Sequence, residues 1–200
     1  MLAVTPPRRR VVGALLILLV GVLAAASPAA AKASGVANTA KARSIVLIGD
    51  SVMAALNPNS TNAAAKVIGA GGWKVVIDAK VNRSTSQGAQ VAQSRRNQET
   101  DTVVVMLGHN DGGNAALFKR HATAVLQALK GVPHVYWLTM RAPRYAAANA
   151  VLRSLAAQYK NLRLIDWANH IQSGWTGRDG LHLNGSGATG MARLILASIR

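Results

Sequence analysis

The 200-residue chain contains no cysteine, a single glutamate (Glu99) and a single phenylalanine, and only 4% of its residues are aromatic. Each scarcity excludes something. Without cysteine there is no disulfide, no thiolate zinc or iron–sulfur site, no cysteine nucleophile and no thiol to carry a lipid anchor. One glutamate cannot form the Glu/Glu pair of a glycosidase. So few aromatic rings argue against a stacking surface for single-stranded nucleic acid. Acidic charge is also scarce: 23 Lys and Arg face 7 Asp and Glu, for a net charge of +16 and a pI near 11.6. Half of the residues are hydrophobic. A chain of this length forms one domain and buries roughly two-thirds of its unfolded surface.

Arg8, Arg9 and Arg10 precede an unbroken apolar run over 11–23, followed by Pro28 and Ala29-Ala30-Ala31-Lys32-Ala33. A basic head, a short apolar core and an Ala-x-Ala site predict a secretory signal peptide over 1–33. Thirteen helical residues reach only about 20 Å, short of a ~30 Å hydrocarbon core. The expectation is therefore a secreted, extracytoplasmic protein with no membrane span after cleavage. Residues 34–43 read as a flexible leader and 44–200 as the folded domain. Cleavage after Ala33 leaves nineteen basic against seven acidic residues, a net charge of +12. Outside the cytoplasm such a surface meets anionic wall polymers, not nucleic acid.

From residue 44 the chain alternates β-branched runs with alanine-rich helical stretches. Strands are predicted at 44–48, 73–77, 102–107, 134–138 and 162–166. Helices are predicted near 61–69, 86–97, 114–130, 145–160 and 186–199. Near-continuous apolar strands separated by helices imply a five-stranded parallel sheet covered on both faces, a three-layer α/β/α sandwich of flavodoxin-like kind. In such a sheet ligands bind beyond the carboxyl ends of the strands.

Two of those ends, and the loop before the last helix, carry polar groups of interest. Gly49-Asp50-Ser51 follows the first strand. Gly49 permits a tight turn, and Ser51 then opens a helix with its hydroxyl exposed, either as a nucleophile or as an ordinary N-cap. Met53 breaks the Gly-x-Ser-x-Gly elbow of α/β-hydrolases. Gly108-His109-Asn110-Asp111 follows the third strand, where the Asn110 amide can face an oxyanion or simply close a turn. Asp50 and Asp111 read as braces of their turns, and His109 as a variable loop position. Before the last helix, Asp179 precedes His182 by three residues, so its carboxylate can orient the imidazole; the bland reading is a turn with a solvated histidine. Two such ligands make no complete metal site, and no metal or other cofactor is expected. Arg83, Arg141, Arg144 and Arg178 fall in loops at the same edge, either as substrate contacts or as a solvated basic rim. Trp167 and Trp175 are candidate sugar platforms or packing plugs.

Taken together, these blocks resemble the SGNH (GDSL) hydrolase family over residues 44–199. Gly49-Asp50-Ser51, Gly108-x-Asn110-Asp111 and Asp179-x-x-His182 match its first, third and fifth blocks. Gly88 is the best match to the glycine of its second. The resemblance implies a serine esterase in which Ser51 attacks, His182 moves the proton and Asp179 orients His182. The Ser51 and Gly88 N–H groups and the Asn110 amide would form the oxyanion hole. Asp78-Ala79-Lys80-Val81-Asn82-Arg83, Tyr136-Trp137-Leu138 and Ile165-Asp166-Trp167 look like the SGNH domains attached to membrane acyltransferases that O-acetylate wall polysaccharides. The implied substrates are acylated carbohydrates or small esters. O-acyl transfer to polysaccharide, and a silent basic module that binds anionic wall polymer, stand as alternatives.

Overall fold

The structure, a computed structural model, describes residues 43–95, 100–141 and 143–199. The expected signal segment, and the leader apart from Arg43, lie outside the described residues. Five strands form one parallel sheet: β1 (Ser44–Gly49), β2 (Lys74–Ala79), β3 (Thr102–Met106), β4 (His134–Leu138) and β5 (Leu162–Ile165). Their order is β2-β1-β3-β4-β5. The helices are α1 (Ser51–Ala54), α2 (Thr85–Arg95), α3 (Ala115–Ala128), α4 (Ala146–Gln158), α5 (Trp167–His170) and α6 (Gly185–Ser198), with a π-helical stretch at Ala64–Gly69. The expected three-layer architecture and all five expected strands are present.

Strand periodicity divides the core. Ile45 and Leu47 of β1, Val104 and Met106 of β3 and Leu138 of β4 face α6 and the 64–69 helix, meeting Met191, Ile195 and Ile68. Val46 and Ile48, Val103 and Val105, and Trp137 face the opposite way, onto Phe118, Val125 and Leu152 of α3 and α4. The central strands β1 and β3 are covered on both faces, so their interior positions are apolar and show no polar alternation. The hydrogen-bonded order places β1 between β2 and β3, so successive crossovers leave β1 in opposite directions. The carboxyl ends of β1 and β3 thus flank the topological switch point, where open α/β sheets form their binding crevice.

Two helices depart from expectation. The stretch expected to begin at 61 starts later and with π geometry. Thr61 is held by its hydroxyl, which donates to Ala55 O at 2.6 Å, and Asn62 sits at φ 56°. A residue in the left-handed region cannot continue a right-handed helix, so regular structure resumes only beyond it. Short α5 was not expected; it follows directly from β5 and buries Trp167, which is 1% exposed.

Candidate active site

Asp50 opens the site. Its backbone N–H donates to Met106 O at 3.0 Å, tying the end of β1 to β3. Its Oδ1 accepts the Val52 N–H at 3.0 Å, so the N-cap of α1 is Asp50, not Ser51. That leaves the Ser51 hydroxyl free for another partner, and its own N–H donates to no described residue. Gly49 is obligatory here, since an added Cβ would lie 2.3 Å from the Cβ of Met53.

The partner comes from the loop ahead of α6. Gly177 N–H donates to His182 O at 2.8 Å, Thr176 and Leu183 form an antiparallel bridge, and Asn184 N–H donates to Trp175 O at 3.1 Å. Asn184 then caps α6 by accepting the Gly187 N–H at 3.1 Å, an arrangement worth about 1 kcal/mol. Gly187 allows Trp175 to pack this closely, because a Cβ there would stand 2.1 Å from Trp175 O. Within this closed loop Asp179 Oδ1 accepts the N–H groups of Leu181 and His182 at 2.9 and 3.0 Å. Its Oδ2 lies 2.6 Å from His182 Nδ1, and His182 Nε2 lies 2.9 Å from Ser51 Oγ. A carboxylate on Nδ1 assigns the proton to that nitrogen and leaves Nε2 as the acceptor facing the hydroxyl. The hydrogen bond from His182, with the two backbone N–H groups, lowers the Asp179 carboxyl to about 2. Side chains 131 positions apart therefore meet in one hydrogen-bonded series.

At the end of β3, Asn110 is exposed, and its Nδ2 donates one hydrogen to Arg83 O at 3.1 Å. This fixes the amide and leaves its second hydrogen available. Asp111 accepts both the N–H and the hydroxyl of Thr85, at 3.3 and 2.5 Å, joining the β3 loop to the head of α2.

Several expectations need correction. Gly88 does not sit in a loop: it is the fourth residue of α2, and its N–H donates to Ser84 O at 3.0 Å, inside the helix. An N–H spent this way is not an oxyanion donor. The glycine serves packing, since a Cβ would lie 2.2 Å from Leu107 Cδ1. Arg83 is not a substrate contact. It is 7% exposed and donates to Gly49 O at 3.1 Å, to Asp78 O, and to Asp78 Oδ1 at 2.6 Å, bracing the β1 terminus from β2. Burial pushes the Asp78 carboxyl up, but hydrogen bonds and charge from Arg83 and Arg95 outweigh it and hold the group below the usual carboxylate range. Trp167 is core and not a platform, and Trp175 stacks on it at 19° with centroids 6.0 Å apart. His109 is no free loop position either. Its side chain is 3% exposed, with Nδ1 2.7 Å from Asp50 Oδ2 and its ring edge-on to Tyr145.

Around Ser51 and His182 lies a cleft of about 360 Å³, lined further by Asn57, Asn59, Ser60, Val81 and Leu183. Arg141, Arg144 and Arg178 are exposed but are not among the residues lining it; Arg144 lies over the Tyr145 ring at 4.8 Å. Trp175 lines a separate cleft, with His170 and Arg193. Among the described residues no cluster of His, Asp or Glu suits a metal ion, and no helix is long and apolar enough to cross a membrane.

No protein-family model matches the chain, and no curated protein matches it. Solved structures do. The C-terminal catalytic domain of peptidoglycan O-acetyltransferase A from Streptococcus pneumoniae, solved with a methylsulfonyl adduct, is 22% identical, with a TM-score of 0.63 over 79% of this chain and 93% of that one. TesA is 20% identical, with a TM-score of 0.67 over 79% of this chain and 98% of that one. A carbohydrate esterase family 3 protein from Talaromyces cellulolyticus is 18% identical, with a TM-score of 0.63 over 78% and 96%. At these identities the likeness is one of fold, and together with the strand order it gives this chain the α/β/α fold of the SGNH hydrolases.

Proposed function

We propose that the chain is a secreted serine esterase that acts on acyl esters, O-acetyl esters of a carbohydrate or wall polymer above all, through an acyl-enzyme. One observation carries this reading: the Ser51–His182–Asp179 series, with hydrogen bonds of 2.9 and 2.6 Å. Ser51 Oγ attacks the ester carbonyl while His182 Nε2 takes its proton, and Asp179 steadies the resulting imidazolium. The oxyanion rests on the Ser51 N–H and the free hydrogen of the Asn110 amide. His182 then returns the proton to the leaving alcohol. Water attacks the acyl-enzyme in turn, with His182 again as base, and the carboxylic acid leaves. A sugar hydroxyl taking the place of that water gives O-acyl transfer with the same residues. The solved O-acetyltransferase domain and carbohydrate esterase of the same fold support the substrate class.

Incubation with acetylated wall polysaccharide, with and without an acceptor glycan, tests both outcomes by mass analysis. Released acetate is expected. A mass gain of one acetyl group on the acceptor instead assigns transfer, and the absence of both products refutes the substrate class.

Acidity provides an independent check. Initial rates on p-nitrophenyl acetate should fall on acidification along one single-proton limb, because a protonated His182 cannot take the serine proton. Asp179 does not contribute there. Its folded-state value is depressed, so its anchoring of the loop is complete above the ordinary carboxylate range and is lost only as pH falls through about 2. A limb centred near 4 would give the base role to a carboxylate.

A further inference from the structure

Another recess, of about 400 Å³, lies at the opposite end of the sheet, where the strands begin. Trp73 and Tyr136, 8% and 7% exposed, are its most buried aromatic walls, and Arg43, Asp101, His134 and Arg163 are its exposed charged and polar lining. The cations are held in place without carboxylates. Arg43 lies over the Trp73 ring at 4.7 Å and donates to Gly71 O at 3.3 Å. Arg163 Nη1 is 3.4 Å from His134 Nδ1, which makes that nitrogen the acceptor and leaves Nε2–H as an outward donor. Asp101 lines the same recess, yet among the described residues its carboxylate pairs with neither arginine. The strand register explains why. Thr102 pairs with His134, and Tyr136 pairs with Arg163, so Asp101 and Arg163 stand two strands apart and three residues out of step, roughly 14 Å between their Cα atoms. The Trp73 indole N–H is buried with no partner, so polar pairing in this corner is incomplete.

We propose that this recess binds a carboxylated, sugar-sized ring, a hexuronate, with its carboxylate on the guanidinium of Arg163 and its hydroxyls donating to Asp101. Each feature answers to one part of that ligand. A planar guanidinium with free donors takes a carboxylate in two parallel hydrogen bonds. A lone carboxylate across the gap accepts from hydroxyls, and it repels a compact inorganic anion that cannot keep its distance. Trp73 and Tyr136 contribute only their small exposed margins to the floor, since both are core residues and Arg43 covers the Trp73 ring. A Cα separation of roughly 14 Å, shortened by the reach of the two side chains, leaves room for one ring between the charges. The inference is independent of the esterase reading, because the site lies at the opposite strand ends from Ser51.

Calorimetric titration of the full chain with sodium glucuronate, glucose and inorganic phosphate tests the proposal. Glucuronate is expected to bind saturably, at least tenfold more tightly than either control. Arg163→Gln should weaken it at least tenfold, and Asp101→Asn should narrow the gap between glucuronate and phosphate. Hydrolysis of p-nitrophenyl acetate by both variants should stay within twofold of the parent. A glucuronate-containing oligosaccharide binding more tightly than the monomer assigns the ligand to a polymer, and equal affinity assigns it to the free sugar. No saturable binding, equal binding of glucose or phosphate, or undiminished binding by Arg163→Gln overturns the proposal.

Discussion

Ser51→Ala and His182→Ala should each lower turnover of p-nitrophenyl acetate by about 10⁶-fold. The expectation follows from the shared proton. Without the hydroxyl there is no acyl acceptor, and without Nε2 the hydroxyl meets the carbonyl still protonated and weakly nucleophilic. The two losses should not multiply. The double variant should retain roughly the same residual rate as either single one, because the groups act on the same step as one unit. Stability should hardly respond. The His182 side chain is 51% exposed, and the loop's backbone hydrogen bonds from Gly177 and Asn184 survive the substitution. Thermal unfolding followed by circular dichroism distinguishes this from collapse of the loop. A folded Ser51→Ala protein that still hydrolyses the ester at the parental rate would sink the assignment.

Legibility of this chain follows the range of the interactions. The strands could be read because a sheet buried on both faces demands runs such as Ile45-Val46-Leu47-Ile48, a demand local to each run. Ser51, Asn110, Asp179 and His182 could be read because each follows a strand or precedes a helix in a recognisable block. What those blocks do not contain is the identity of neighbours distant in sequence. Nothing in Gly108-His109-Asn110 announces that His109 is buried against Asp50, 59 residues earlier, with its imidazole 2.7 Å from that carboxylate. Arg83 looked like a free cation because the charge that claims it, Asp78, is presented by the end of β2 only once the loop folds back. Gly88 misled for a different reason. One glycine is a weak signature, and the need for it came from Leu107 packing beneath α2 and not from a ligand. The pair Asp78 and Arg83, five residues apart across a turn, was the available hint of an internal brace.

The second large effect belongs to Asn110. Asn110→Ala should reduce kcat on p-nitrophenyl acetate by about 10²–10³ while KM moves only a few-fold. The asymmetry arises because the amide donates to charge that exists only in the tetrahedral state, so its loss raises the barrier without weakening ground-state binding. The geometry makes the amide suited to this. One hydrogen is committed to Arg83 O at 3.1 Å, so the donor is oriented before substrate arrives and little reorganisation is needed when the oxyanion forms. Arg83 is itself fixed by Gly49 O and Asp78, so the alignment passes from the end of β1 to the amide through buried and half-buried contacts. Asn110→Asp separates position from charge. It keeps the volume but faces the oxyanion with a carboxylate, and it should be at least as damaging as alanine at neutral pH, because like charges repel strongly in a partly desolvated site. If Asn110→Ala instead raised KM alone, the amide would be holding the substrate's ground state, and the oxyanion would have to rest on backbone donors only.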